Sequence, residues 1–169
     1  MKEALYTAHY TSPIGLIEIK ATDLGITSVL FVEESQPITE PTPETQLPES
    51  IKACQLQLNE YFTGGRRNFQ LTLNPKGTSF QEQVWENLKT IPFGKTASYM
   101  DVARATSGEK AIRAVGGANG RNPICIIVPC HRVIGSDGSL TGYAGKVWRK
   151  EWLLRHEGIL KPETQLSIF

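Results

Sequence analysis

Long apolar runs are missing from this 169-residue sequence. Nothing in it approaches the roughly 18 residues of a membrane span, and the opening Met1-Lys2-Glu3-Ala4-Leu5-Tyr6 has no signal-peptide core. Cysteine is scarce too. Three residues, an odd number at no framework spacing, exclude a disulfide scaffold and point to a reducing, cytoplasmic setting. No second Cys/His pair stands at a zinc-ligand spacing, so no metal or other cofactor is expected. With 40% hydrophobic and 21% charged residues, the chain reads as soluble and globular, with one sizeable core or two small ones.

Net charge is also nearly absent, at +1, but the charges are unevenly placed. Residues 1–75 carry 5 Lys and Arg against 9 Asp and Glu, whereas residues 76–169 carry 13 against 8. A basic second half hints at a polyanionic partner, although a solvated basic face is the commoner origin of so modest an excess.

In the first half, Ser12-Pro13-Ile14-Gly15 reads as a turn and Leu16 to Ala21 as a strand. Gly25 to Val32 is its hairpin partner across Thr22-Asp23-Leu24-Gly25. Glu33 to Pro48 is acidic and carries four prolines, which predicts an exposed, mobile loop. Ile51, Cys54, Leu58, Tyr61 and Phe62 fall at helical spacing, so Glu49 to Phe62 is an amphipathic helix stopped by Gly64-Gly65, with Cys54 in the core. Phe69 to Leu73 alternates as a strand does, and Asn74-Pro75-Lys76-Gly77 marks a domain boundary. This small α+β unit carries no recognisable chemistry, and its lone His9 reads as a surface or strand residue.

In the second half, Ser79-Phe80-Gln81-Glu82 forms a capping box, and Phe80, Val84, Leu88 and Ile91 continue a helix to Pro92-Phe93-Gly94. Ser98-Tyr99-Met100-Asp101 opens another helix, Gly108 turns the chain, and Glu109 to Asn119 follows, which makes a helix-turn-helix candidate. Ala111, Ala114 and Ala118 share one face beside Gly117 and Arg113. That face suits helix-on-helix packing, or a helix laid along a minor groove with Arg113 entering the base stack. Gly135 to Gly138 is a turn, and Leu140 to Gly145 is a loop able to fold over a pocket. A last helix, Val147 to His156, places Glu157 in its final turn before Gly158.

The chain's most telling stretch is Ile124-Cys125-Ile126-Ile127-Val128-Pro129-Cys130-His131-Arg132-Val133-Ile134, read as a buried strand delivering Cys130 to an edge. Pro129 stops ladder pairing, and His131, Arg132, Lys146 and Arg149 can supply the positive surroundings that lower a thiol pKa from about 8.5. A cysteine packed as a small hydrophobe stays open for Cys130 and is expected for Cys125. On an extended segment the two thiols point to opposite faces, which argues against a shared metal. Asn122, just upstream, can bond neighbouring backbone and serve either as a hinge or as a site organiser.

Pro129-Cys130-His131-Arg132-Val133, with Arg113-Ala114-Val115-Gly116, Asn122-Pro123 and Lys150-Glu151-Trp152-Leu153-Leu154-Arg155-His156-Glu157-Gly158, closely resembles the O6-alkylguanine-DNA alkyltransferase family. The resemblance implies an α+β protein of two domains. A small N-terminal α/β, RNase H-like domain spans 1–75, and a mostly helical DNA-binding and alkyl-acceptor domain with a helix-turn-helix spans 76–169. It implies irreversible, once-only transfer of an alkyl group from O6 of guanine, and from O4 of thymine, to Cys130. His131 would be the general base through a water, and Glu157 would orient it. Asn122 would brace the cysteine, Tyr99 would donate to N3 of a flipped guanine, and Arg113 would fill the vacated stack, with Ala114 on the DNA face. Tyr143 and the Ala144 N–H would line the pocket, and the Cys130 and Val133 carbonyls would accept from the exocyclic amine. The implied partner is double-stranded DNA with alkylated bases, met through its minor groove by a monomer able to bind cooperatively.

The sequence departs from relatives at Ala144, where some have serine, at Lys146, where glycine is frequent, and at Asn119, where some have a larger apolar residue. Three rivals remain at this stage. These are a lesion-binding protein without transfer, a helix-turn-helix regulator, and a Cys/His hydrolase.

Overall fold

The computed structural model describes residues 4–160; Met1–Glu3 and 161–169, the ends of the two expected domains, lie outside the described residues. Among the described residues no helix is long and apolar enough to cross a membrane.

The chain begins with a three-stranded antiparallel sheet, β1 (Tyr6–Ser12), β2 (Gly15–Thr22) and β3 (Gly25–Phe31), in that order. The β2–β3 hairpin matches the sequence reading, while β1 was not foreseen. Its burial does not alternate, because Thr7 and Ala8 are both buried, so no period-two signal announces it. Helix α1 (Glu49–Phe62) has the expected bounds and packs Ile51, Cys54, Leu58 and Tyr61 under the sheet. Burial pushes the Cys54 thiol up to about 12, as befits a core residue. Between them, 33–48 is irregular and largely exposed, with one 3-10 turn at Glu44–Gln46.

The expected strand at 69–73 is reduced to a single bridge between Ile26 and Leu73. A side chain takes the neighbour's place: Gln57 Oε1 accepts from Gln70 N at 2.9 Å, and its Nε2 donates to Gln70 O at 3.1 Å. The N–H and C=O of Gln70 are thereby satisfied without a ladder.

The second part is helical. Helix α2 (Ser79–Leu88) is capped one residue earlier than expected, by a Thr78–Gln81 capping box, and it ends at Leu88, leaving Ile91 buried just beyond it. A short strand β4 (Ala97–Ser98) leads into α3 (Tyr99–Thr106), which has the anticipated Ser98–Asp101 box. After Gly108 (φ +92°) and a 3-10 turn at Glu109–Ala111 comes α4 (Ile112–Gly120), completing the helix-turn-helix. Strand β5 (Val133–Ile134) pairs in parallel with β4, and α5 (Val147–His156) closes the described fold.

One ladder crosses between the two parts. Val29 of β3 donates to Pro123 O at 2.8 Å and accepts from Cys125 N at 2.9 Å, so the N-terminal sheet holds the segment leading to Cys130.

Candidate active site

Residues 124–134 do not form the expected strand. After the Val29–Ile124 bridge the chain turns, Cys130–Arg132 is a 3-10 turn, and only Val133–Ile134 is strand. The cause is Asn122. Its Oδ1 accepts from Ile124 N at 3.0 Å, and its Nδ2 donates to Ile124 O at 3.1 Å and Val128 O at 2.8 Å, binding both ends of the turn to one buried amide. Ile126 inside that turn has φ +72°, a conformation that β-branched residues rarely adopt. Tertiary hydrogen bonds therefore override the β propensity of an isoleucine–valine run.

The turn brings Cys125 near enough to Cys130 for each thiol to shift the other's titration, instead of setting them on opposite faces. Both are nearly fully buried. The Cys130 pKa is lowered, first by the bond from Cys125 and then, against the opposing cost of burial, by Asn122 and the charge of Lys150. Cys125 is driven the other way, well above the ordinary thiol value, by its bond to Cys130 and by burial.

The positive charge at Cys130 comes from Lys150, which the sequence reading did not assign. Lys150 is fully buried and donates to Val133 O at 2.6 Å and Thr141 O at 3.1 Å. Burial lowers its pKa to about 8, against a raising influence of Cys130. Arg132 and Arg149 are spent elsewhere, Arg132 on Glu157 and Ile91 O, and Arg149 on Ile14 O, Gly145 O and Glu33. Lys146 is exposed and pairs with Glu33 at 3.4 Å.

Beside Cys130 lies a buried carboxylate–imidazole pair. His131 Nε2 is 2.6 Å from Glu157 Oε2. Burial alone would raise the Glu157 pKa, yet bonds from His131 and Arg132 hold it at about 2, so it accepts the Nε2 proton. The lone pair of His131 then sits on Nδ1, which is buried and has no protein partner. Burial lowers the His131 pKa despite the carboxylate, which keeps the ring neutral and basic. Tyr61 of α1 also donates to Glu157 Oε2, at 2.7 Å. The N-terminal part, expected to carry no chemistry, thus supplies a hydroxyl to the site.

The pocket residues gather around this centre. Tyr143 is buried near both thiols. Ala144 is exposed next to it, and its N–H donates to no backbone group of the described residues. The Tyr99 hydroxyl donates to Thr141 O at 3.1 Å, tying α3 to the 140–145 loop. Val133 O accepts from Lys150 and keeps one lone pair, whereas Cys130 O accepts both from Val133 N and, at 3.4 Å, from Asn119 Nδ2. Asn119 Oδ1 is buried without a partner.

The small-residue face on α4 is narrower than expected. Ala118 is buried and its carbonyl accepts from Trp85 Nε1 at 2.9 Å, while Arg113, Ala114 and Gly117 face outward. A Cβ placed on Gly116 or Gly117 would meet nothing within 4 Å, so packing inside the protein does not require glycine there. Arg113 has no hydrogen-bond or ion-pair partner among the described residues. Among those residues no group of three or more His, Cys, Asp or Glu side chains could hold a metal ion.

A lowered thiol, a neutral histidine oriented by a carboxylate and a helix-turn-helix with an unspent arginine define a class: a cysteine-nucleophile protein joined to a nucleic-acid-binding helix pair. The chain belongs to the methylated-DNA--protein-cysteine methyltransferase family. Residues 79–159 match the family described as 6-O-methylguanine DNA methyltransferase, DNA binding domain, and residues 5–75 match its ribonuclease-like domain. The chain is 45% identical to the methylated-DNA--protein-cysteine methyltransferase of Methanosarcina acetivorans, over 91% of this chain and 99% of the relative. It is 44% identical to the constitutive enzyme of Bacillus subtilis, over 91% and 95%. The crystal structure of the Mycobacterium tuberculosis O6-methylguanine methyltransferase superposes with a TM-score of 0.80 at 38% identity, covering 95% of this chain and 97% of that one. The M. tuberculosis OGT in complex with DNA superposes with a TM-score of 0.78 at 43% identity, over 90% and 91%.

Proposed function

We propose that this chain repairs DNA by direct reversal, moving an alkyl group from O6 of guanine, and from O4 of thymine, onto Cys130 once per molecule. The observation that carries the reading is a buried, lowered Cys130 thiol beside the His131–Glu157 pair, within the acceptor fold of a methyltransferase family. His131 Nδ1 takes the thiol proton through a water, and Glu157 holds the ring in the tautomer that leaves Nδ1 basic. The sulfur attacks the alkyl carbon as the carbon–oxygen bond breaks, and the released guanine is reprotonated on N1. The thioether has no good leaving group, so the reaction ends there.

In-line attack needs the sulfur about 3–3.5 Å from the alkyl carbon, which a stacked base cannot offer, so the nucleotide is flipped out of the duplex. Tyr99, released from Thr141 O, donates to N3 of the base. The free lone pair of Val133 O, and Cys130 O once the 3.4 Å bond from Asn119 gives way, accept from its exocyclic amine. Tyr143 lines the pocket, and the Ala144 N–H faces O6. Arg113 fills the gap in the stack while Ala114 and Gly117 let α4 lie close in the minor groove; the open space over Gly117 supports this. Asn122 keeps the acceptor turn in shape. The chain divides functionally at 75/76, acts in the cytoplasm as a monomer, and binds alkylated duplexes with the possibility of neighbours along the strand.

Intact mass after incubation with a duplex carrying one O6-methylguanine tests the reading. The wild-type protein gains one methylene, mapped to Cys130 and never more than one, and Cys130→Ser gains none. A folded wild-type protein that binds the duplex without gaining mass would overturn transfer and leave lesion recognition alone.

A further inference from the structure

Asn119 has no part in the transfer step, yet its side chain is buried in the last turn of α4, 2% exposed, against the acceptor residue. Its Nδ2 donates to Cys130 O at 3.4 Å, and its Oδ1 is buried with no partner among the described residues. Turning the amide over gives no relief, because two acceptors, Oδ1 and Cys130 O, would then face each other. A buried acceptor left unpaired is costly, and it calls for a donor that arrives with a ligand.

Neighbouring contacts set that acceptor at the edge of the base pocket. Tyr99 Oη and Lys150 Nζ share Thr141 O, each at 3.1 Å, and Lys150 also holds Val133 O at 2.6 Å. A Cβ on Gly142 would lie 3.6 Å from Tyr99 Oη, and one on Gly120, the neighbour of Asn119, 3.9 Å from Gly142 O. The end of α4, the 141–142 loop and Tyr99 therefore meet, and the Asn119 amide joins them to Cys130 O. In guanine the exocyclic amine is carried by the carbon next to N3, so a base whose N3 meets Tyr99 turns its amine toward this corner.

We infer that Asn119 reads the exocyclic amine of the flipped guanine: Oδ1 and Cys130 O share one amine hydrogen as the long Nδ2 bond loosens, and Val133 O takes the other. Asn119 is thereby a specificity-determining residue, because only a base with the amine pairs the buried acceptor. O4-alkylthymine carries a carbonyl oxygen, O2, on that edge. It leaves Oδ1 unpaired and sets a second acceptor against it. Guanine lesions are favoured by that mismatch, which for one unsatisfied buried group amounts to about tenfold or more in rate. The inference rests on the proposed transfer from a flipped base.

The experiment measures single-turnover methyl transfer from duplexes carrying O6-methylguanine or O6-methylhypoxanthine, the same base without its amine. Wild type is compared with Asn119→Leu, near to asparagine in shape, and with Asn119→Ala, which asks less of the surrounding packing. Removing the amine is expected to slow wild type about tenfold or more and either variant by less than about threefold. Any difference in how readily the two bases leave the stack is common to all the proteins and cancels. A structural role alone would slow both substrates alike. Wild type indifferent to the amine, or variants as sensitive to it as wild type, would overturn the inference. O4-methylthymine gives a second reading, since its rate relative to O6-methylguanine is expected to rise about tenfold in the variants; an unchanged ratio would count against Asn119. Failure of the acceptor reading looks different, as wild type that takes no methyl group from any duplex. The dissociation constants of the same proteins for the two purine duplexes then decide the role of Asn119 by the same comparison.

Discussion

Glu157 Oε2 lies 2.6 Å from His131 Nε2 with both side chains fully withdrawn from solvent, and the same carboxylate receives Arg132 Nε at 2.8 Å and Tyr61 Oη at 2.7 Å. Glu157→Gln removes the charge that fixes the His131 tautomer. We expect methyl transfer to slow by about 10²-fold or more, measured as single-turnover incorporation on a methylated duplex. The folded pKa of about 2 lies below the ordinary 4.5. As pH falls, the unfolded chain binds this proton first, so its contribution is present above 4.5 and is lost between there and 2. That contribution, about 3 kcal/mol, should be missing from the acid limb of Glu157→Gln in chemical denaturation.

Lys150→Met should raise the Cys130 pKa, since it removes a buried cation beside the sulfur. Each unit of rise lowers the thiolate fraction at neutral pH about tenfold. The transfer deficit should therefore narrow at alkaline pH; a deficit equal at all pH values would assign Lys150 to bracing Val133 and Thr141 alone. Stability carries a second signature. Between pH 8 and 10.5 the unfolded chain keeps a lysine proton that the folded chain has released, so this group makes wild type more stable as pH rises, relative to Lys150→Met.

Gly117→Ala should separate folding from DNA binding. With nothing within 4 Å of the added methyl group, the change should stabilise the protein by about 0.5–1 kcal/mol through helix propensity. It should weaken binding to duplex DNA in a titration at fixed salt. Gain of stability with unchanged binding would remove this face of α4 from the DNA contact.

Lys146 sits at φ +78° at the start of α5, where a side chain is strained. Lys146→Gly gives up a 3.4 Å ion pair with Glu33, an exposed contact worth at most about 1 kcal/mol. It also relieves backbone strain of about 1–3 kcal/mol. The midpoint of thermal unfolding should rise.

The family resemblance implies a glycine at 146, and the left-handed backbone there is its physical reason. The helices α1, α3 and α5 declared themselves through caps and spacing because those signals are local. The acceptor turn did not, because Ile124–Val128 has strand composition and its shape is imposed by a single amide, Asn122. That same turn, where a strand would set the two cysteines on opposite faces, places Cys125 near Cys130. Cys130 stood out from its local chemistry, while the roles of His131 and Glu157 came from the family resemblance, and those two pair beside it. Lys150 could have been found from residues alone: with Leu153, Leu154 and Glu157 it falls at i, i+3, i+4 and i+7, the buried stripe of α5. A lysine on such a stripe signals a functional partner, as does the buried Tyr61 opposite it.

Both charged groups that act on the acceptor, Lys150 and Glu157, belong to α5 and the residue that ends it. A ribosome makes Cys130 before either of them, and domains form from the N-terminus as the chain emerges. The N-terminal sheet can therefore receive the 123–125 segment while the thiol still lacks its cation and its histidine lacks its carboxylate. On the proposed reading the nascent chain carries a chemically quiet cysteine, and the molecule is armed only when α5 docks.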